Sequence, residues 1–249
     1  MAFDYSNAPF KIPEYKAKAH RGAWQYMAEP GAWWTGSERV AIAAASRAAR
    51  GCALCAERKA ALSPNAVSGV HDSAGGVLTD KVVDAVHRIT TDPARLTRTW
   101  VESLIDEDPF SYGHYVEMVS LVVNLISIDT LHIALGLPLE PLPEPQPGDP
   151  DGYLPPGAAV DVAWVPMIYP ETLTERESDS YFGAPQMGHV IRAMSLVPDA
   201  VRWLNNLGEA HYLPTPEVGD FSKRGRLTLS RTQTELVAAR TSYYNDCFY

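Results

Sequence analysis

Residues 35–55 read TGSERVAIAAASRAARGCALC, and this stretch contains a helix start, a helix end and a pair of cysteines. Thr35 and Glu38 have the spacing of a capping box, in which the Thr35 hydroxyl accepts from the backbone N–H of Glu38 and the Glu38 carboxylate reaches back. An Ala-rich run follows, and Gly51 is the residue type that commonly ends helices. The stretch therefore predicts one helix that stops at Gly51 and a second that begins near Cys52.

The second helix would carry Cys52 and Cys55 in its first turn, where free backbone N–H groups and the positive end of the helix dipole favour thiolate. Lys59 and Arg58 follow Cys55 at four and three residues, so both can share its helical face and stabilise a thiolate, while Glu57 would oppose them. The chain has three cysteines. Two thiols at this spacing can close into a disulfide and reopen, which predicts a catalytic or redox-active pair.

The composition is that of a globular protein and argues against two classes of partner. Hydrophobic residues make up 46% of the chain, and 30 acidic against 21 basic residues give a net charge of −9, which argues against nucleic-acid binding. The longest apolar segment, 116–137, is interrupted by charged and polar residues and predicts a buried helix, with no membrane partner. The start of the chain lacks a secretory pattern, which together with the few cysteines predicts a cytoplasmic protein.

Helical spacing dominates the chain and strand signals are scarce, so the predicted class is all-α. We divide the chain into an N-terminal arm over 1–19, a helical module over 20–145, a Pro-rich linker over 146–163 and a second helical part over 164–249. Further helices are predicted over 20–28, 52–62, 79–89, 93–105, 113–136, 175–182, 188–196 and 198–212, with a last one from 231.

The last helix repeats the opening stretch. Ser230 and Gln233 have capping-box spacing, and Cys247 lies 17 residues after Ser230, as Cys52 lies 17 residues after Thr35. Aligned without a gap, the two segments match in cap, apolar face and cysteine. This indicates a short internal repeat.

The second copy, ELVAARTSYYNDCFY, resembles the core motif of the AhpD-like alkylhydroperoxidase and carboxymuconolactone decarboxylase superfamily, with a glutamate 12 residues ahead of a cysteine. GHVIRAMSLVPDAVRWLNNLGEAHYLP resembles the entry helices of that family, and YVEMVSLVVNLISIDTLHIALGLPLEPLP resembles its closing helix and Pro-rich exit. The resemblance implies an AhpD-like helical bundle with one nearly complete module and a partial second copy. It also implies a homo-oligomer and, in the peroxidase branch, a redox Cys-x-x-Cys assisted by a glutamate and a histidine.

The family motif is divided between the two copies. In the first copy Cys52 and Cys55 match the family cysteines, while Val40 and Lys59 stand where the resemblance implies the glutamate and the histidine. In the second copy the matching residues, which form a possible second site, are Glu235 and Cys247.

Together these features predict a thiol-dependent oxidoreductase that reduces alkyl or other hydroperoxides with Cys52 and Cys55. Lys59 would favour the thiolate, and a thiol reductant protein would recycle the pair. Two alternatives stay open. One is a lyase or isomerase like carboxymuconolactone decarboxylase, without redox use of the cysteines, and the other is a non-catalytic helical binding or assembly protein.

The histidines raise the question of a metal. His114 and His132 occur in the spacings His-x-x-Glu and Asp-x-x-His, but on one continuous helix they would lie about 27 Å apart, so we predict core or interface histidines. A zinc site on the cysteine pair would need two more ligands, and His71 and His87 are the nearest histidines in sequence. Because there is no second cysteine pair, we expect no metal and no other cofactor.

Overall fold

The structure is a computed structural model that describes residues 3–72, 76–106, 110–183 and 187–247. These ranges are mostly helical, which confirms the all-α class. The helices are α1 Glu14–Ala28, α2 Gly36–Ala49, α3 Ala53–Ala60, α4 Asp80–Thr91, α5 Arg98–Ile105, α6 Tyr112–Ala134, α7 His189–Arg192, α8 Pro198–His211 and α9 Arg231–Tyr244. Two short antiparallel strands, β1 Ala159–Val160 and β2 Pro166–Met167, form the described sheet.

Helix α2 packs against α1, α4 and α6, and its start has the predicted cap. The Thr35 hydroxyl accepts from the Glu38 backbone N–H at 3.3 Å, and the Thr35 backbone N–H donates to the Glu38 carboxylate at 2.9 Å. At Gly36 a Cβ would lie 2.3 Å from the carbonyl oxygen of Ala28 and 2.5 Å from that of Gln146. A glycine is therefore needed for the close approach that seats α2 in the core.

A buried ion pair joins α2 to α6. Arg39 Nε lies 3.3 Å from Glu117 Oε1, and both side chains are inaccessible to solvent. The backbone N–H of Trp33 donates to Glu117 Oε2 at 2.8 Å. Burial raises the pKa of Glu117 to about 7 even though Arg39 opposes this shift. Because an unpaired buried charge costs about 3–5 kcal/mol, the pair favours one register of α2 against α6.

Helix α6 forms over the predicted apolar segment. It is long and apolar enough to cross a membrane, but 61% of its apolar window is buried inside the protein, where it contacts α2, α4 and α8. His132 on this helix is buried, with Nδ1 2.7 Å from the Pro138 carbonyl and Nε2 3.0 Å from the Tyr5 hydroxyl. His114 bonds to the Ser111 hydroxyl at 2.9 Å. The two histidines therefore have separate hydrogen-bond partners.

The N-terminal region differs from its prediction. Helix α1 begins at Glu14 instead of residue 20, so part of the predicted arm is helical. The first described residue, Phe3, is buried and packs edge-on against Trp24, with ring centroids 4.9 Å apart. An acidic residue in the first turn complements the helix dipole, which favours the earlier start at Glu14.

Three other predicted helices are shorter than expected. The helix predicted over 93–105 is divided into a 3₁₀ turn, Pro93–Arg95, and α5, because the Thr97 hydroxyl accepts from the Trp100 backbone N–H and begins a new helix. Over 175–182 the regular part is a 3₁₀ turn, Glu175–Glu177. Over 188–196 only α7 forms, and the buried Ser195 hydroxyl instead accepts from the backbone N–H of Ile168 at 3.0 Å.

The Pro-rich segment lies along the first module. The backbone N–H of Gln146 donates to the Ala28 carbonyl at 2.8 Å, and that of Gly152 donates to the Ala32 carbonyl at 2.7 Å. Beyond it, α8 packs against α1 and α6. The two predicted helical parts therefore share packing contacts.

Candidate thiol and histidine site

Four side chains that are distant in sequence meet at one end of α3. The sulfur atoms of Cys52 and Cys55 and a ring nitrogen each of His71 and His87 all lie within 4.8 Å of one another. Cys52 Sγ is 3.5 Å from His71 Nδ1, and Cys55 Sγ is 3.6 Å from the same nitrogen and 3.3 Å from His87 Nδ1. The cysteines are 2% and 4% exposed and His87 is fully buried. The chain thus builds a largely buried cluster of two thiols and two imidazoles.

The junction between α2 and α3 positions the thiols. After α2 ends, the backbone N–H of Gly51 donates to the Ala48 carbonyl at 3.1 Å, and the chain turns into α3. Cys52 is the N-cap residue of α3 and Cys55 lies in its first turn, close to the predicted placement. Both are free thiols.

The segment after the Pro64–Ala66 turn brings His71 to the thiols. Arg58 Nε donates to the Val67 carbonyl at 3.0 Å, and the Asp72 carboxylate accepts from the backbone N–H of Ala53 at 3.4 Å, so both ends of the segment are tied to α3. Between them Gly69 passes so close to Leu54 that a Cβ would lie 2.9 Å from its Cδ1.

Helix α4 supplies His87 and Asp84, which are three residues apart and therefore share a helical face. This helix packs against α2 and α3. Asp84 Oδ1 lies 2.8 Å from His71 Nε2, and the same carboxylate pairs with Arg58 and, at 2.8 Å, with Arg88 Nε. Asp84 thus links α4 to the segment that carries His71.

These contacts determine which nitrogen of His71 carries the proton. Burial opposes ionisation of Asp84, but hydrogen bonds from His71, Arg58 and Arg88 outweigh it and lower the Asp84 pKa to about 2. A carboxylate only accepts hydrogen bonds, so His71 Nε2 donates to Asp84 at 2.8 Å, and Arg58 Nη1, 3.1 Å from the same nitrogen, donates to the Asp84 carboxylate and not to the ring. The lone pair of His71 Nδ1 is then directed at the two sulfur atoms.

The two thiols have unlike environments. Burial disfavours the Cys52 thiolate, but hydrogen bonds from the backbone N–H groups of Asp72 and Cys55, and one with His71, outweigh burial and lower the Cys52 pKa to about 7. Burial, followed by the neighbouring Cys52, raises the Cys55 pKa to about 11. Burial and the nearby His71 lower the pKa of His87 to about 4, so that ring is neutral.

Of the two cations predicted beside Cys55, Arg58 and not Lys59 reaches the cluster. Lys59 is exposed on α3, whereas Arg58 is buried and reaches the site, with Nη1 3.1 Å from His71 Nε2 and in contact with Asp84. The prediction placed both cations beside Cys55 by helical spacing, but the fold buries the α3 face that carries Arg58. The cation at the site is therefore Arg58.

Glu235 and Cys247, the predicted second site, lie outside this cluster. The Glu235 carboxylate accepts from the Tyr212 hydroxyl and from Arg231. Cys247 is exposed after α9, and its backbone N–H donates to the Ser242 carbonyl at 3.0 Å. Among the described residues, the four-membered cluster of thiols and imidazoles contains neither of them.

Sequence reasoning named His71 and His87 only as the nearest histidines and missed Asp84. One sequence feature could have indicated these residues: Asp84 and His87 are three residues apart on an amphipathic helix. That helix follows the segment that contains His71. No spacing rule indicates that this helix packs beside α3.

No family model, curated protein or solved structure matches the chain. The resemblance to the AhpD-like superfamily therefore stays a prediction.

Proposed function

We propose that this chain is a thiol-dependent oxidoreductase that reduces hydroperoxides through a dithiol and disulfide cycle of Cys52 and Cys55. One observation carries the proposal: both sulfur atoms lie within 3.6 Å of His71 Nδ1, and Asp84 holds the other nitrogen of that ring. A nucleophile, a base and a group that orients the base form the arrangement that activates a catalytic thiol.

In the first step His71 Nδ1 takes the proton of Cys52, and the thiolate attacks the terminal oxygen of the hydroperoxide. The O–O bond breaks, the sulfur is oxidised to a sulfenic acid, and the alkoxide leaving group takes the proton from His71 and departs as an alcohol. We assign the attack to Cys52 because its sulfur lies 3.5 Å from His71 Nδ1 and hydrogen bonds outweigh burial to lower its pKa to about 7, whereas burial raises the pKa of Cys55 to about 11.

In the second step Cys55 attacks the sulfur of the sulfenic acid. A disulfide forms, and the hydroxyl group leaves as water with the proton of Cys55. His71 Nδ1, which is free again after the first step, lies 3.6 Å from Cys55 Sγ and is positioned to carry that proton. A thiol reductant protein then supplies two electrons and two protons to restore both thiols.

The surroundings of the pair favour a small oxidant. Both cysteines are almost completely buried, so a hydroperoxide reaches them more readily than a bulky disulfide substrate would. The cycle requires a reducing compartment, which supports the cytoplasmic assignment. We extend the proposal to a homo-oligomer, because the short sheet and the segment between its strands leave the apolar side chains of Val160 and Val162 exposed.

The proposal is tested by following the consumption of cumene hydroperoxide and hydrogen peroxide with dithiothreitol as the reductant. We expect Cys52→Ser to abolish turnover, because it removes the attacking sulfur, and Cys55→Ser to lower the rate and prevent the intramolecular disulfide, because the sulfenic acid of Cys52 must then wait for dithiothreitol. The exposed Cys247 provides the matched control, and Cys247→Ser keeps the wild-type rate. Equal rates for wild type, Cys52→Ser and Cys55→Ser would overturn the proposal.

The histidine and its partner are tested in the same assay. We expect His71→Ala to lower kcat by about 100-fold or more, because the general base is lost, whereas His189→Ala, at an exposed histidine, leaves kcat unchanged. Asp84 is a positioning residue, so Asp84→Asn lowers kcat by a smaller factor with KM and helix content unchanged. A wild-type kcat for His71→Ala would remove His71 from the mechanism.

A further inference from the structure

The same four side chains have the composition and arrangement of a metal site. We infer that the reduced chain binds one zinc ion through Cys52 Sγ, Cys55 Sγ, His71 Nδ1 and His87 Nδ1. The sequence-based expectation of no metal rested on the lack of further ligands for the cysteine pair, and the fold supplies two of them.

The distances fit a tetrahedral ion. With Zn–S near 2.3 Å and Zn–N near 2.0–2.1 Å, tetrahedral angles place a sulfur and a nitrogen ligand about 3.6 Å apart. The corresponding distances are 3.5 Å from Cys52 to His71, 3.6 Å from Cys55 to His71 and 3.3 Å from Cys55 to His87. With all four donor atoms within 4.8 Å of one another, small side-chain rotations complete the tetrahedron.

Charge and burial favour zinc among the divalent ions. Two thiolates and two neutral imidazoles balance a 2+ ion, so a neutral unit is buried and no further counter-ion is needed. Thiolate and imidazole donors in a tetrahedron suit zinc, whereas magnesium and calcium prefer oxygen ligands. Four protein ligands leave no open position, so the ion is held and not used for hydrolysis.

The surroundings of His71 support metal binding independently of the thiols. Its Nε2 donates to Asp84 at 2.8 Å, which directs the Nδ1 lone pair into the cluster. A histidine ligand held by a carboxylate is a recurrent feature of zinc sites, because the carboxylate sets the ring orientation and raises the basicity of the ligand. Arg58 and Arg88 hold Asp84 in turn.

Zinc also gives the proposed redox cycle a protected resting state, an extension that rests on the proposed function. A hydroperoxide accepts two electrons from the two zinc-bound thiolates and two protons from the buffer acid of the solvent. The products are the Cys52–Cys55 disulfide, an alcohol, water and free zinc. Because one sulfur pair cannot form a disulfide and bind zinc as thiolates together, oxidation releases the ion.

The test begins with the reduced, metal-free full chain under anaerobic conditions, titrated with Co²⁺ as a spectroscopic probe and then with Zn²⁺. We expect one Co²⁺ per chain, with the absorption of a tetrahedral thiolate site, displaced by one Zn²⁺. Cys52→Ser and His71→Ala lose this spectrum, and Cys247→Ser and His189→Ala keep it. Asp84→Asn keeps the spectrum with about 10- to 100-fold weaker binding.

Failure of zinc binding and failure of the redox proposal give different results. A reduced wild-type chain that binds neither ion at micromolar concentration overturns the zinc inference, even if it consumes peroxide. A chain that binds zinc but is not oxidised by peroxide when metal-free supports the zinc site and overturns the redox proposal. When peroxide is added to the zinc-loaded chain, we expect a chelating dye to detect zinc in a 1:1 ratio to the disulfide. Disulfide formation with zinc retained would overturn the coupling.

Discussion

Helices α2 and α9 each have a capping box, 14 residues and a cysteine three residues after the helix end. Their surroundings differ completely. Ile42 of α2 is 0% exposed, whereas Val237, which aligns with it in the internal repeat, is 58% exposed. Cys52 after α2 meets Cys55 and two histidines, while Cys247 after α9 is exposed. The repeated pattern therefore specifies a capped helix and a nearby cysteine, and the site depends on the elements that pack around them.

The largest expected difference between the two helices is in the free energy of unfolding that is lost when an apolar side chain is shortened. Ile42→Ala removes a side chain enclosed by α1, α4 and α6, and we expect it to lower the free energy of unfolding by about 2–5 kcal/mol. Val237→Ala removes exposed methyl groups and should change it by less than about 0.5 kcal/mol. Urea unfolding followed by circular dichroism measures both.

Equal losses for the two substitutions would show that α9 is buried in solution, as it would be in a homo-oligomer. Light scattering on the same samples gives the molar mass and so distinguishes a homo-oligomer from a monomer. A stable Ile42→Ala protein would contradict the placement of α2 in the core.

A smaller difference is expected from the caps. Thr35→Ala removes a hydroxyl that accepts from the Glu38 backbone, and we expect it to lower the free energy of unfolding by about 1 kcal/mol. Ser230→Ala removes the same interaction at Gln233. Because α9 is largely exposed, we expect that loss to appear as faster hydrogen exchange in α9 with an unchanged global transition.

Exchange in α9 that is unchanged by Ser230→Ala would show that this cap does not hold the helix. A global destabilisation equal to that of Thr35→Ala would show that α9 unfolds together with the core.

Local signals in the sequence were sufficient for the best-predicted elements. The capping boxes at Thr35 and Ser230 and the apolar period of α6 act within one or two helical turns, so they can be read directly. The helices predicted over 175–182 and 188–196 are shorter in the structure, where the backbone continues in three-residue turns such as that from the Ser195 N–H to the Arg192 carbonyl at 2.9 Å.

In the candidate site, too, local features were predictable from the sequence and long-range contacts were not. The pairing of Cys52 with Cys55 at the start of α3 was predictable from Gly51 and the Cys-x-x-Cys spacing. His71 and His87 join them only because Asp72 and Arg58 fix the intervening segment and α4 packs against α3. These are tertiary contacts between segments that are distant in the chain. No local spacing pattern in the sequence indicates them.

The most direct test of the central claim is peptide mapping after the reduced, metal-free chain reacts with one equivalent of cumene hydroperoxide. Trypsin releases Cys52 and Cys55 together in Gly51–Arg58 and Cys247 in a separate C-terminal peptide. We expect Gly51–Arg58 to lose the mass of two hydrogen atoms and resist alkylation, while Cys247 remains alkylated. If Cys52 and Cys55 are still alkylated, or if Cys247 is oxidised first, the cluster is not the redox centre of this protein.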